Sequence, residues 1–165
     1  MGTNEIIYVN SAYCPTDSHG YKKCLIIVDS ATSKVTAYPS KDLKSFTVQK
    51  HLNSYMLSCG IPRIVYTDIG TEFKKGLDEA LAGLTSRLES TRTYVKGTTS
   101  QAENLLRLLK RAMTKLCLYK PEDWSSNLVL AVDSLNNSIL YKKTTRNQLF
   151  FSPLYSSRRL NLLHL

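Results

Sequence analysis

Apolar residues along the chain fall into two kinds of run, short blocks of β-branched and aromatic residues and longer stretches in which leucines recur every three or four positions. Residues 5–13 (EIIYVNSAY) are rich in strand formers and are followed by Pro15. After a turn-like Thr-Asp-Ser-His-Gly, residues 24–29 (CLIIVD) form a nearly all-apolar block, the composition of a central strand covered on both faces. Another turn leads into residues 35–38 (VTAY), so the chain is expected to open as a three-stranded antiparallel meander. Helical spacing follows over 43–57, with Phe46, Val48, Leu52, Tyr55 and Met56 as its apolar positions and Gly60-Ile61-Pro62 as its stop. A strand at 64–66, a short helix at 71–80 and a weaker strand at 86–90 come next. Residues 91–100 lack periodicity and read as a loop, 102–116 as a long amphipathic helix, and Pro121 as the first turn of a further helix carrying Trp124, Leu128, Leu130, Val132 and Leu135. The order of three strands, helix, strand, helix, strand and helices predicts one α/β domain.

Within that order one stretch carries chemistry. The run Ile64-Val65-Tyr66-Thr67 stops at Asp68-Ile69-Gly70, which reads as a buried strand delivering a carboxylate to its C-terminal edge. Such edges are where α/β folds place their sites. Glu103 stands thirty-five positions further on, near the start of the long helical pattern. A strand-end acid and a helical acid brought together hold a divalent metal. Each also has a plainer reading, since Asp-x-Gly is a common turn and a glutamate in a first helical turn simply complements the helix dipole.

Charge narrows the partners. Twenty-two Lys and Arg against thirteen Asp and Glu leave a net charge of +9 over 165 residues, an excess that favours a polyanion such as nucleic acid. No apolar run approaches the roughly 20 residues needed to span a bilayer. The opening Met1-Gly2-Thr3-Asn4-Glu5-Ile6 carries neither a signal sequence nor a myristoylation pattern, so no membrane partner is expected. Cys14, Cys24, Cys59 and Cys117 show no C-x-x-C pairing, and His19, His51 and His164 complete no zinc pattern; free thiols and surface histidines are expected.

The motifs, taken in order, resemble the catalytic core of retroviral and LTR-retrotransposon integrases, nearest in pattern to foamy-virus, Gypsy and Pao types. The resemblance runs from about residue 5 to 155 and leaves 156–165 as a C-terminal extension. It is carried by Leu25-Ile26-Ile27-Val28-Asp29, Gly60-Ile61-Pro62, Thr67-Asp68-Ile69-Gly70-Thr71-Glu72-Phe73, Trp124 with Leu135-Asn136-Asn137-Ser138, and Thr145-Arg146-Asn147-Gln148-Leu149-Phe150-Phe151. It implies a ribonuclease H-like fold, a five-stranded mixed sheet flanked by helices. It also implies an Asp-Asp-Glu site holding two Mg²⁺ or Mn²⁺ ions, for DNA 3′-end processing and strand transfer. Asp68 and Glu103 match the second and third acids. The first falls on Asn10, where the family has Asp, and Asp29 matches a position that is usually not catalytic. An amide at position 10 removes a charge from a site that hard cations need charged, so metal binding and catalysis are expected to be impaired.

From the same resemblance, Arg107 and Lys110, four and seven residues after Glu103, are expected to meet DNA phosphates, with Arg111 beside them and Tyr94 stacking on a base. The loop around Tyr94 departs from the family's usual Pro-Tyr-x-Pro-Gln-x-x-Gly. The implied partners are element and target DNA and a second copy of the chain, and the implied place of action is the nucleus after a cytoplasmic stage. A domesticated, non-catalytic DNA- or protein-binding module is the alternative that Asn10 supports, and a related ribonuclease H-like nuclease or transposase is the other.

Overall fold

In the computed structural model the described residues are 2–67, 71–90, 96–117, 123–141 and 144–152. Three strands, β1 (Ile6–Tyr13), β2 (Lys23–Asp29) and β3 (Val35–Ser40), form the expected antiparallel meander, and α1 (Ser45–Cys59) leads to β4 (Ile64–Thr67). There follow α2 (Thr71–Leu81), β5 (Arg87–Ser90), α3 (Lys96–Cys117) and α4 (Trp124–Asn137). A small ladder of β6 (Ile139–Tyr141) and β7 (Thr144–Thr145) precedes α5 (Arg146–Phe151). The five-stranded sheet runs β3-β2-β1-β4-β5, with β4 parallel to both β1 and β5 and the meander antiparallel, so it is mixed and β1 is its centre.

Alternation along the strands sends side chains to two separate cores. Ile7, Val9, Leu25, Ile27 and Val65 pack with Val48, Leu52 and Tyr55 of α1 and Phe73 and Leu77 of α2. On the other face Ile6, Tyr8, Ile26, Val28 and Tyr66 pack with Leu105 and Leu109 of α3 and Trp124, Leu128 and Ala131 of α4. Burial on both faces is why β2 reads as an unbroken apolar block. Gly76 lets α2 close on α1: a Cβ there would stand 2.6 Å from the Ser45 carbonyl oxygen and 2.9 Å from Val48 Cβ.

The meander edge is closed from the side. Asn136 of α4, buried, accepts from the Val35 N–H at 2.9 Å and donates to the Val35 carbonyl at 2.7 Å, pairing with the edge strand as another strand would. Pro39 sits in that same edge strand, the place a sheet tolerates a missing donor. At the opposite corner Asn4, with φ of 55°, donates to the carbonyls of Cys59 and Gly60 and accepts from the Tyr55 hydroxyl, latching the chain's start to the end of α1.

Three expectations need correction. Residues 96–100 belong to α3 rather than to a loop, because their sequence, KGTTS, carries no apolar residue from which a helical period could be read; residues 91–95 lie outside the described set. The described part of the last long helix, α4, runs from Trp124 with Asp123 at its N-cap, and the expected opening at Pro121 lies outside the described residues. Phe46, assigned to a buried helical stripe, is 75% exposed, and Leu130 also faces outward. His51 is not a surface group: it stacks on Tyr38 with ring centroids 5.0 Å apart, and its Nε2 lies 2.6 Å from the Ser40 hydroxyl. Residues 153–165, including the proposed extension, are outside the described set.

Candidate active site

Asn10 sits in the central strand, paired with Ile26 of β2 and half-buried. It shares parity with Tyr8 and Ala12, whose side chains pack in the α3–α4 core, so the pleat puts position 10 on that face. β4 runs parallel to β1 in the register Ile6↔Ile64, Ile7↔Val65, Tyr8↔Tyr66, and ends at buried Thr67. Both strands therefore run out at the same sheet edge. Asp68 follows Thr67 in the chain and is outside the described residues. Below the edge Tyr8 and Tyr66 stack at 5.6 Å and 21°, filling the gap between the two strands with aromatic surface.

Glu103 lies in α3, and its side chain is outside the described set. As the eighth residue of a helix that begins at Lys96, position 103 is two turns in, too far for the first-turn dipole account of an acid there. Leu105 and Leu109 bury α3 against the sheet face that carries position 10. Arg107, Lys110, Arg111 and Lys115 are all exposed on the same helix, and Arg107 Nη2 donates to Asn104 Oδ1 at 2.6 Å. Tyr94 is outside the described residues.

Asp29 is placed elsewhere. It pairs with Ile7, three residues back along β1 from Asn10, which is about 10 Å at strand rise, and its parity is that of the α1–α2 face. Its buried carboxylate accepts from the Asn4 N–H at 2.6 Å, the Thr32 N–H at 2.8 Å and the Thr32 hydroxyl at 2.6 Å. Burial raises its pKa above the ordinary carboxylate value in spite of those donors. This is a structural acid that closes the β2–β3 turn.

The chain has the fold of the retroviral integrase catalytic cores and is similar in sequence to retroviral Pol polyproteins. Over 138 residues, 81% of its length, it is 31% identical to the Pro-Pol polyprotein of simian foamy virus type 3, of which it spans 12%. The HTLV-2 integrase catalytic core domain, solved in complex with magnesium in a dimeric form, superposes with a TM-score of 0.74 at 19% identity, covering 93% of this chain and 99% of that one. A chain of the simian T-cell lymphotropic virus intasome, solved with a PP2A regulatory subunit, superposes with a TM-score of 0.77 at 22% identity, covering 91% of this chain and 55% of that one. No protein-family model matches.

Among the described residues of this chain no group of three His, Cys, Asp or Glu converges to hold a metal. Position 10 itself contributes a neutral amide. Two features of the surroundings had no counterpart in the sequence reading. One is the Ser40–His51–Tyr38 contact between β3 and α1. The other is a cleft where the β1–β2 turn meets α3 and α4, tied there by the Trp124 indole N–H donating to the Pro15 carbonyl at 2.7 Å. The proline after β1 and the lone tryptophan were visible separately; their bond spans 109 residues and has no local signature.

Proposed function

We propose that the chain binds the ends of a retroelement's DNA along α3 and supplies the site for 3′-end processing and strand transfer, with Asn10 in place of the first acid weakening that site. The observation that carries this is the parallel β1–β4 pair, which brings position 10, on the face α3 covers, and Thr67, the residue before Asp68, to one end of the sheet. A carboxylate at position 68, a carboxylate at 103 and an amide at 10 make a donor set suited to one hard divalent ion better than to two, because two cations facing two acids repel with too little compensating charge. Bound there, Mg²⁺ or Mn²⁺ would stabilise the charge that develops on the entering and leaving oxygens of an in-line phosphodiester attack. Exposed Arg107, Lys110 and Arg111 would hold the phosphate backbone, with Tyr94 against a base. The complete protein would act in the nucleus after a cytoplasmic stage.

The test uses the full-length protein in strand-transfer and 3′-cleavage assays, comparing Asn10 as it stands, Asn10→Asp, and Asn10→Asp with Glu103→Gln. Activity that appears with Asn10→Asp and disappears in the double variant supports the site. Equal activity with and without Asn10→Asp removes position 10 from it. Asn10 is also the specific observation behind a second reading, a non-catalytic module that keeps only DNA or protein binding; there Asn10→Asp restores nothing while binding persists.

Exposed apolar side chains support a homodimer or a higher oligomer. Val129 and Leu130 of α4, with Phe46 and Leu57 of α1, stand out from the surface, whereas Val48, Leu52 and Tyr55 of α1 and Trp124, Leu128 and Ala131 of α4 pack inward.

A further inference from the structure

The geometry points to a nucleobase subsite: the cleft between the end of β1 and α3 receives an unpaired base of the nucleic acid whose backbone lies along α3. This rests on the DNA-binding reading above and adds a contact to it. The cleft has a volume of about 620 Å³, inside the range of about 300–1,000 Å³ typical of small-molecule sites. Its floor is apolar, made by Ile26, Leu109, Met113, Trp124 and Leu128, and its rim carries Tyr13 and Lys110. Tyr13 is 80% exposed, and the Lys23 ammonium lies 5.0 Å from the centre of its ring.

Each part of that arrangement narrows the occupant. The polar atoms around the floor are already engaged, since the Trp124 N–H is given to the Pro15 carbonyl and the Thr114 hydroxyl to the Lys110 carbonyl. A free phosphate would find no donor there. A purely apolar ligand would leave the rim ammonium of Lys110 unused. A flat aromatic ring joined to a phosphate uses both, with its face on the apolar floor or on Tyr13, its polar edge at the open mouth and its phosphate at Lys110. Lys110 belongs at once to this rim and to the basic row of α3, so backbone held by that row passes the cleft mouth. Tyr13 stands three residues beyond Asn10 in β1, about 10 Å, a span of about three nucleotides along a stacked strand. A duplex keeps its bases stacked inside; only an unpaired end can place one in the cleft.

The experiment compares a blunt duplex with the same duplex carrying a short single-stranded tail, titrated by anisotropy against the 165-residue chain, Tyr13→Ala and Lys110→Ala. Trp124, the only tryptophan, reports the cleft directly through its emission. The tailed duplex is expected to bind about tenfold more tightly and to quench Trp124, as one stacked base contributes. Tyr13→Ala, a change at an exposed site, should abolish the preference and leave blunt-duplex affinity in place, whereas Lys110→Ala should weaken both duplexes. Equal affinities and unchanged Trp124 emission, with ordinary salt-dependent binding of both duplexes, overturn the subsite and leave the DNA reading standing. If neither duplex binds in a salt-dependent way, the DNA reading fails and the subsite with it. Trp124 quenching by an apolar peptide and not by the tailed duplex assigns the cleft to a protein partner and also overturns the proposal.

Discussion

Tyr8 and Tyr66 stack across the parallel β1–β4 pair with ring centroids 5.6 Å apart, and each stands two residues ahead of a proposed site position in the sequence. The stack fixes the spacing of the two strands just below the edge where Asn10 and the end of β4 lie. Tyr8→Ala should remove buried aromatic surface from both strands at once, destabilising the fold by about 3–5 kcal/mol as large-to-small core changes do, measured by urea unfolding. Tyr8→Phe keeps the stack and should cost far less. Equal losses in the two variants would assign the effect to the hydroxyl rather than to the rings.

The basic row on α3 makes a salt-dependence prediction. If Arg107 and Lys110 each neutralise a phosphate, the double variant Arg107→Ala with Lys110→Ala should flatten the plot of log affinity against log salt by about one unit per lost contact. An unchanged slope would place the contacts on other residues.

Gly76→Ala tests the α1–α2 contact, and the sign of the result is informative. In an open helix the change would stabilise by about 1 kcal/mol. Here the new methyl meets the Ser45 backbone and Val48, so overpacking should reverse the sign and destabilise by about 1–3 kcal/mol in urea unfolding. A stabilised variant would mean that the two helices separate readily.

His51 predicts a pH dependence. Burial, and then the neighbouring Lys50 charge, hold its pKa below 6.5, so in the window beneath that value the unfolded chain binds a proton that the native one resists. Stability should therefore be full above about pH 6.5 and fall as pH drops through the depressed native value. His51→Phe, which can keep the ring against Tyr38, should remove this part of the slope. Asp29, whose raised pKa acts in the opposite sense, is common to both proteins and cancels in the comparison. Identical slopes between pH 6.5 and 5 would assign the acid loss to carboxylates.

Self-association is testable at the exposed apolar positions. Leu130→Glu with Val129→Ser should turn a concentration-dependent dimer into a monomer by light scattering, without loss of helix content. A native chain that stays monomeric at high micromolar concentration would leave those side chains as ordinary surface.

How much was legible in advance depended on the range of the cause. The apolar blocks at Ile26, Val65 and Leu109 are local signals, and they carried the order of elements and the antiparallel opening, whereas the five-stranded mixed sheet was implied by the resemblance to integrase cores. Asp68 and Glu103 were legible as candidates by type and by their places at a strand end and in a helix, because strand and helix periods are written in neighbouring residues, whereas Asn10 stood out only through the resemblance to integrase cores. The start of α3 was misread, since residues 96–100 carry no apolar residue to mark a helical period.

The sequence by itself therefore determined which segments become strands and helices, that the chain carries an excess of positive charge, and that position 10 holds an amide. Tertiary structure alone decided which of those residues meet. Asp29 lies on the far face of the sheet from α3, Asn136 closes a strand edge 101 residues away, and Pro15 receives the indole N–H of Trp124 to shape a cleft. Contacts of that separation form because burying two apolar faces on one sheet outweighs the entropy of closing the chain between them, and no local pattern records which partners that closure selects.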